Sequence, residues 1–181
     1  MRQAVADAKR HGRVRLVGHS YGGQVISGAG HDADELVYVA AMVTSEGESA
    51  FESLGEALSG IPGMVFDHGQ ISFTRDALPA FYARCDRSTR ESAFSQLRPI
   101  GISCVTGALS VSPAWRLLPS AYVVCTFDVV LPQSYQRSRA ALLSRSVEIE
   151  ADHSPFASAP GELTTAIVAP GYGADAGGAK S

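Results

Sequence analysis

The sequence predicts an α/β fold, with a mostly parallel sheet and helices on both of its faces. Apolar, β-branched runs of strand length alternate with segments of helical patterning, which is typical of this class. The 181 residues, 45% of them hydrophobic, suit one domain with its own core. We therefore expect a single domain over residues 1–169. Residues 170–181 lack an apolar period and are expected to form a disordered tail.

The first predicted elements are one helix and one buried strand. Residues 1–12 have a helical pattern, with Ala4, Val5 and Ala8 on one face and Gly12 at its end. The apolar residues over 14–17 then favour a strand.

This strand ends in the pattern G-x-S-x-G, and a helix-like segment comes directly after it. Gly18 and Gly22 flank Ser20 with residues that lack a Cβ, as a strained strand-to-helix turn requires. Such a turn, called a nucleophile elbow, exposes the serine hydroxyl. It also directs the backbone N–H of the next residue, here Tyr21, toward a developing oxyanion. Ser20 is therefore the predicted nucleophile, and Tyr21 is the predicted oxyanion donor through its backbone.

The middle of the chain is predicted to cover the site. Residues 35–42 form the next expected strand, whereas residues 46–118 break the strand rhythm and contain helical pieces over 76–85 and 88–97. We interpret this segment as a helical cap insertion. Five aromatic side chains of the insertion could line an acyl pocket, although each is more often ordinary core: Phe66, Phe73, Phe81, Tyr82 and Trp115.

Two later strand ends carry the partners that a serine nucleophile needs. An apolar run over 120–127 ends at Asp128, and the alternation over 146–150 stops shortly before His153. A histidine base and a carboxylate that orients it complete a triad, and in elbow-type folds the chain order is Ser, acid, His. Ser20, Asp128 and His153 have that order.

Other interpretations of these loops stay open. Asp128 could merely cap the turn that Pro132 continues. Asp152 is a poor triad acid, because neighbours on one loop cannot easily face each other, and it could instead cap the segment after His153. His19 precedes the nucleophile, and we interpret it as a packed elbow residue that points away from Ser20 rather than as a base.

Two helices complete the predicted domain. Residues 132–143 form a helix between the last two strands, and residues 160–169 form the final one. The final helix is expected to pack through Leu163, Ile167 and Val168.

These motifs resemble those of the α/β-hydrolases, and more narrowly the small bacterial esterases related to plant methylesterases and hydroxynitrile lyases. The resemblance covers most of residues 13–169. It rests on the segments Val17–Gly23, Phe81–Cys85, Tyr122–Asp128, Leu131–Gln133 with Gln136, and Asp152–Phe156. It implies that Ser20 is the nucleophile, His153 the base, Asp128 its partner and Tyr21 a backbone oxyanion donor.

The resemblance also separates possible reactions. Hydroxynitrile lyases of this group have a lysine directly after the histidine, where this chain has Ser154. Ester hydrolysis is therefore favoured over cyanohydrin cleavage. Haloalkane dehalogenases and epoxide hydrolases of this fold use an aspartate nucleophile, so Ser20 argues against both.

The start of the chain departs from the family pattern. By resemblance, four strands precede the elbow strand, and a loop among them supplies the second oxyanion donor. Here only residues 1–12 precede it, so we expect an α/β-hydrolase fold that lacks its N-terminal strands and has an open edge at 14–17. Loss of one oxyanion donor costs about a hundred- to a thousandfold in rate.

This departure leaves two possible functions. The first is a serine hydrolase of carboxylic esters. The alternative is a catalytically silent truncated fragment that acts, if at all, as an association module through its open sheet edge. The edge could also receive a separately supplied N-terminal half.

Composition excludes several other classes. A net charge of −3 gives no signature of nucleic-acid binding, and no apolar run is long enough to cross a membrane. Without a recognisable signal peptide, a cytoplasmic location is expected. The three cysteines are unpatterned and predicted to be reduced, buried thiols, so no metal site is expected. The expected partner is a small-molecule ester, with no cofactor.

Overall fold

The computed structural model describes residues 1–55 and 60–169, and it has the predicted α/β architecture. The described residues contain seven strands. In chain order they are β1 Arg15–Ser20, β2 Glu35–Ala41, β3 Met64–Asp67, β4 Gln70–Phe73, β5 Ile100–Gly101, β6 Ser120–Cys125 and β7 Arg145–Ile149. Four of them form a parallel sheet in the order β1-β2-β6-β7, and the other three form a small antiparallel sheet in the order β3-β4-β5.

The helices predicted over 1–12, 88–97, 132–143 and 160–169 are present with shorter or shifted bounds, and three further short helices of the described residues were not predicted. In chain order the helices are α1 Arg2–Lys9, α2 Gly22–Ala29, α3 Ala50–Leu54, α4 Leu78–Phe81, α5 Arg87–Gln96, α6 Ile102–Thr106, α7 Gln133–Ala140, α8 Pro155–Ser158 and α9 Pro160–Val168. The helix expected over 76–85 is instead a 3-10 turn, Arg75–Ala77, followed by the single turn of α4. None of the helices in the described ranges is long and apolar enough to cross a membrane.

The core lies on both faces of the two central strands. Successive strand residues point to opposite faces of a sheet. One face of β2 and β6 presents Tyr38 and Tyr122 to a cluster that includes residues of α1, α2 and α7. The opposite face presents Val39 and Val123 to a cluster that includes residues of α9. Because the four strands of the main sheet are parallel, their carboxyl ends share one edge. The residues Ser20, Asp128 and His153 lie at or just after these strand ends.

The insertion between β2 and β6 combines helices α3 to α6 with the small antiparallel sheet, which the sequence patterns did not predict. Its β3–β4 hairpin turns through His68 at φ 46° and Gly69 at φ 74°. Two residues of positive φ are what a tight hairpin turn of the primed type requires. Asn, Asp or Gly usually holds the first of these two positions, and here it is His68. The sequence therefore gives only a weak signal for this hairpin turn.

β1 is an edge strand within the described part of the chain. It pairs with β2 alone, and Val17 is 44% exposed. This agrees with the fold expected from the sequence, in which no strand precedes the elbow strand. The predicted tail over 170–181 lies outside the described residues.

The cysteine expectation was partly wrong. All three thiols are free and Cys125 is buried in β6, but Cys104 is exposed on α6. Within residues 1–55 and 60–169, no group of three or more His, Cys, Asp or Glu side chains is arranged to hold a metal ion.

Candidate active site

The turn from β1 into α2 holds Ser20 at φ 53°, in the left-handed region that non-glycine residues rarely adopt. Close backbone approaches surround it. A Cβ at Gly18 would lie 2.7 Å from the Gly22 carbonyl oxygen, and a Cβ at Gly23 would lie 2.4 Å from that of Met42. A Cβ at Gly22 would meet nothing within 4 Å. The steric need for glycine, which the motif attributed to Gly18 and Gly22, therefore falls on Gly18 and Gly23.

The structure brings the three predicted triad residues together in one hydrogen-bonded chain. Nε2 of His153 lies 3.1 Å from the hydroxyl of Ser20, and its Nδ1 lies 2.8 Å from Oδ2 of Asp128. His153 and Asp128 are almost completely buried, at 1% and 5% exposure. A neutral histidine with its proton on Nδ1 would donate to the carboxylate and accept from the serine. This geometry is the one that general-base activation of a hydroxyl requires.

Asp128 satisfies both interpretations that the sequence left open. Its Oδ1 accepts the N–H groups of Val130 and Leu131 at 2.7 and 2.9 Å, which caps the turn after β6. Its Oδ2 accepts from His153 and also from Nε2 of Gln136 at 3.1 Å. One oxygen thus fixes the loop while the other faces the imidazole.

Gln136 is a supporting residue whose contacts the sequence did not reveal. It is fully buried in α7, where its Oε1 accepts the N–H of Cys125 at 2.9 Å. Its Nε2 reaches Asp128 and the carbonyl oxygen of Leu131. The sequence singled out Gln136 only as part of the family resemblance, because its partners lie on the preceding strand and loop.

His19 contacts the loop that carries His153. Its Nε2 donates to the His153 carbonyl oxygen at 2.6 Å, and the two rings are 4.8 Å apart. Burial, with a smaller contribution from His153, lowers the pKa of His19 to about 4. His19 is thus a packed, neutral residue near pH 7. The expectation that it points away from the Ser20 side was wrong, because its ring lies against that of His153.

Asp152 faces away from the His153 ring and binds other groups. Its Oδ1 accepts from the Ser154 N–H at 3.0 Å and from the Ser158 hydroxyl at 2.7 Å. Its Oδ2 accepts from the N–H of Arg84 at 2.7 Å. These contacts agree with the capping interpretation rather than with a role as triad acid.

Tyr21 lies at the N-terminal end of α2, directly after Ser20, and its carbonyl oxygen accepts the Gln24 N–H at 3.0 Å. The elbow therefore starts a helix whose first N–H groups lie next to the serine. The positive end of a helix dipole favours negative charge at this position.

An apolar cavity of about 140 Å³ opens beside Ser20. All of its other described lining residues are apolar. The small cap sheet supplies several of them, namely Met64, Phe66, Ile71, Phe73 and Ile100. Phe81 of α4 also lines the cavity, whereas Tyr82 borders a different one and Trp115 donates its ring N–H to the Thr44 carbonyl oxygen. Three of the five aromatic candidates, Phe66, Phe73 and Phe81, thus line the cavity beside Ser20.

Comparisons with known proteins agree with this fold. A family model described as the alpha/beta hydrolase family matches residues 2–166. The alpha/beta hydrolase nvfD of Aspergillus novofumigatus is 26% identical, over 88% of this chain and 71% of that protein.

Solved structures with a similar fold include a hydrolase and two esterases. A pyrethroid hydrolase from Sphingobium faniae JZ-2 is 24% identical with a TM-score of 0.74, covering 91% of this chain and 74% of that one. Polyneuridine aldehyde esterase has the same TM-score and coverage at 18% identity. A methylesterase from Arabidopsis is 21% identical with a TM-score of 0.67, covering 89% and 70%. The resemblance predicted from the sequence motifs is confirmed.

Proposed function

The chain belongs to the alpha/beta hydrolase family, and on that premise we propose that it hydrolyses carboxylic esters through Ser20, His153 and Asp128. The observation that carries this proposal is the hydrogen-bonded chain from Asp128 through His153 to the hydroxyl of Ser20, at 2.8 and 3.1 Å. Esterases among the solved structures of similar fold support the same reaction class.

In the proposed first half-reaction, Oγ of Ser20 attacks the ester carbonyl carbon while Nε2 of His153 takes the hydroxyl proton. Asp128 holds the imidazole in the required tautomer and stabilises the imidazolium. His153 then gives its proton to the departing alcohol, which leaves an acyl group on Ser20. In the second half-reaction His153 takes a proton from water, the hydroxide attacks the acyl carbon, and the proton returns to Ser20 as the acid is released.

The negative charge of each tetrahedral intermediate would form beside the backbone N–H of Tyr21. A donor that points to this position from a helix N-terminus stabilises the oxyanion more than it stabilises the ground-state carbonyl. We therefore assign the Tyr21 N–H as an oxyanion donor.

The cavity beside Ser20 supports an apolar ester as substrate. Apart from Ser20, the residues of 1–55 and 60–169 that line it provide no partner for a charged or strongly polar substituent, whose burial without a partner is costly. A volume of about 140 Å³ is close to that of a cavity which accommodates benzene. We propose that one side of the ester carries a single ring or a short alkyl chain.

A second candidate function rests on β1. In the described part of the chain this strand is paired on one side only, and Val17 is exposed on it. Unpaired strand edges favour association with another strand. Self-association through β1, with or without catalysis, is therefore the competing proposal.

Hydrolysis of 4-nitrophenyl esters of increasing acyl length tests the first proposal. We expect activity with short apolar acyl groups, loss of that activity in Ser20→Ala, and no change in Ser138→Ala, which removes an exposed hydroxyl bonded only to the Tyr135 carbonyl oxygen. Equal hydrolysis by wild type and Ser20→Ala would contradict the proposal. Sedimentation equilibrium on the same samples would reveal association.

A further inference from the structure

Asp152 is a buried acidic residue that the proposed mechanism does not use. Its side chain is completely buried, and both carboxylate oxygens accept hydrogen bonds. Buried carboxylates are costly unless such donors satisfy them. Two of its donors, the Ser154 N–H and the Ser158 hydroxyl, belong to the segment directly after His153. The third donor, the Arg84 N–H, belongs to the cap.

The cap segment that Asp152 contacts also forms part of the substrate cavity. Phe81, three residues before Arg84, lines the cavity beside Ser20, and its ring lies 5.4 Å from the ring of His153. The Arg84 guanidinium lies 4.3 Å from the centre of the Phe127 ring, next to Asp128. The short stretch from Phe81 to Arg84 therefore contacts the cavity, the acid loop and, through Asp152, the base loop.

We propose that Asp152 is a positioning residue that couples the cap to the base. Its Oδ2 anchors the cap backbone at Arg84, and its Oδ1 anchors the residue after His153. The position of the cap thereby fixes where the imidazole lies relative to Ser20. A substrate that packs against Phe81 would strengthen the same connection. The catalytic consequence rests on the proposed function, whereas the physical coupling can be measured without it.

The amide of asparagine distinguishes this role from simple space filling. In Asp152→Asn one carboxylate oxygen becomes an NH2 donor, so the side chain can accept either from Arg84 or from the Ser154 and Ser158 pair. The other backbone N–H, that of Arg84 or of Ser154, would then face an NH2 donor, whereas the Ser158 hydroxyl can turn to accept from the amide. Side-chain volume is unchanged, so a change in the site reflects the lost hydrogen bonds rather than a cavity.

Labelling by an alkyl fluorophosphonate, with the maximal rate and the half-saturating concentration determined separately, is the kinetic test. We expect Asp152→Asn to lower the maximal rate about 10- to 100-fold, as a displaced base would, with the half-saturating concentration changed less than about threefold. The matched control is Asp34→Asn, because the Asp34 carboxylate also accepts a backbone N–H, that of Val14 at 2.7 Å, at the opposite end of the sheet. That control should label as the wild type does.

Hydrogen–deuterium exchange on unlabelled protein tests the coupling itself. In Asp152→Asn, peptides that cover residues 81–86 and 150–156 should both exchange faster than in wild type, while peptides of β2 should not. Unchanged exchange in both peptides, or unchanged labelling, would overturn the proposal. Wild type that fails to label but shows the coupled exchange would contradict the esterase function alone.

If Asp152→Asn does not fold, the coupling is tested by comparing hydrogen–deuterium exchange of wild-type protein before and after labelling. Attachment of the alkyl phosphonyl group to wild-type Ser20 should slow exchange in residues 81–86 and 150–156 together. Protection of only one of the two peptides would overturn the coupling.

Discussion

The centre of the main sheet and its β1 edge are built differently. Every residue of β2 and β6 is buried, whereas in β1 only Gly18 is. The centre is thus defined by apolar burial on both faces. The edge strand, which carries Ser20, is defined by close backbone contacts at the elbow and by polar contacts such as that from His19 to the His153 loop.

This difference bears on where the candidate active site lies. Ser20 belongs to the edge strand, Asp128 comes after a central strand, and His153 comes after β7, the opposite edge. The central strands provide a rigid reference for the three loops. The strained serine then depends on a few contacts that apolar burial does not supply.

The largest expected effect comes from the contact between the elbow helix and β2. In Gly23→Ala the new Cβ would lie 2.4 Å from the Met42 carbonyl oxygen, so backbone must move. We expect the free energy of unfolding to fall by about 3 kcal/mol in urea denaturation, at the upper end of what overpacking usually costs. Gly22→Ala, where nothing lies within 4 Å, should be neutral or stabilising by up to about 1 kcal/mol. Equal costs at the two positions would contradict this account of the elbow.

The next effect concerns the end of β2. The Tyr122 hydroxyl accepts the Ala41 N–H and donates to the Ala41 carbonyl oxygen, both at 2.8 Å, beside Ala40 at φ 41°. Tyr122→Phe removes both of these bonds to buried backbone groups and should cost about 3 kcal/mol by thermal or chemical unfolding. Tyr38→Phe removes one bond, to Ser27, and should cost about 1 kcal/mol. The comparison fails if Tyr38→Phe costs as much as Tyr122→Phe.

Paired residues of β1 and β2 compare edge and centre directly. Val17 and Val37 are partners in the β1–β2 ladder, at 44% and 0% exposure. Val37→Thr buries a hydroxyl and should cost about 2 kcal/mol, whereas Val17→Thr should change stability by less than about 0.5 kcal/mol. A large cost for Val17→Thr would show that the outer face of β1 is covered, and its dependence on protein concentration would identify self-association.

The smallest effect is a pH dependence from His19. Its pKa is about 4 in the folded protein and about 6.5 when unfolded, so the unfolded state binds more protons between these values. Stability is therefore lost as pH falls through this window, by about 1 kcal/mol between pH 7.5 and 5.5. His19→Gln should remove that part of the loss while retaining a donor for the His153 carbonyl oxygen. An identical pH dependence in both proteins would contradict the lowered pKa of His19.

The main sheet was well predicted because burial patterns and strand ends are local signals. The strand–elbow–helix pattern at Ser20, and the strand ends before Asp128 and His153, were sufficient to predict which residues meet. The cap sheet was not predicted, because its short strands are partly exposed and its turn uses His68. The approach of Gly23 to Met42 and the bond from Arg84 to Asp152 join residues distant in the chain, so no local pattern could reveal them. The contacts of Asp152 with Ser154 and Ser158 are local and agree with the capping that the sequence suggested.

Peptide mapping after treatment with a fluorophosphonate tests the central claim most directly, namely that the serine on the edge strand is activated by His153 and Asp128. We predict a single adduct on Ser20 in wild type, no adduct in Ser20→Ala, and strongly slowed labelling in His153→Ala. A folded wild-type protein that stays unlabelled, or labelling of Ser20 at the same rate without His153, would contradict it.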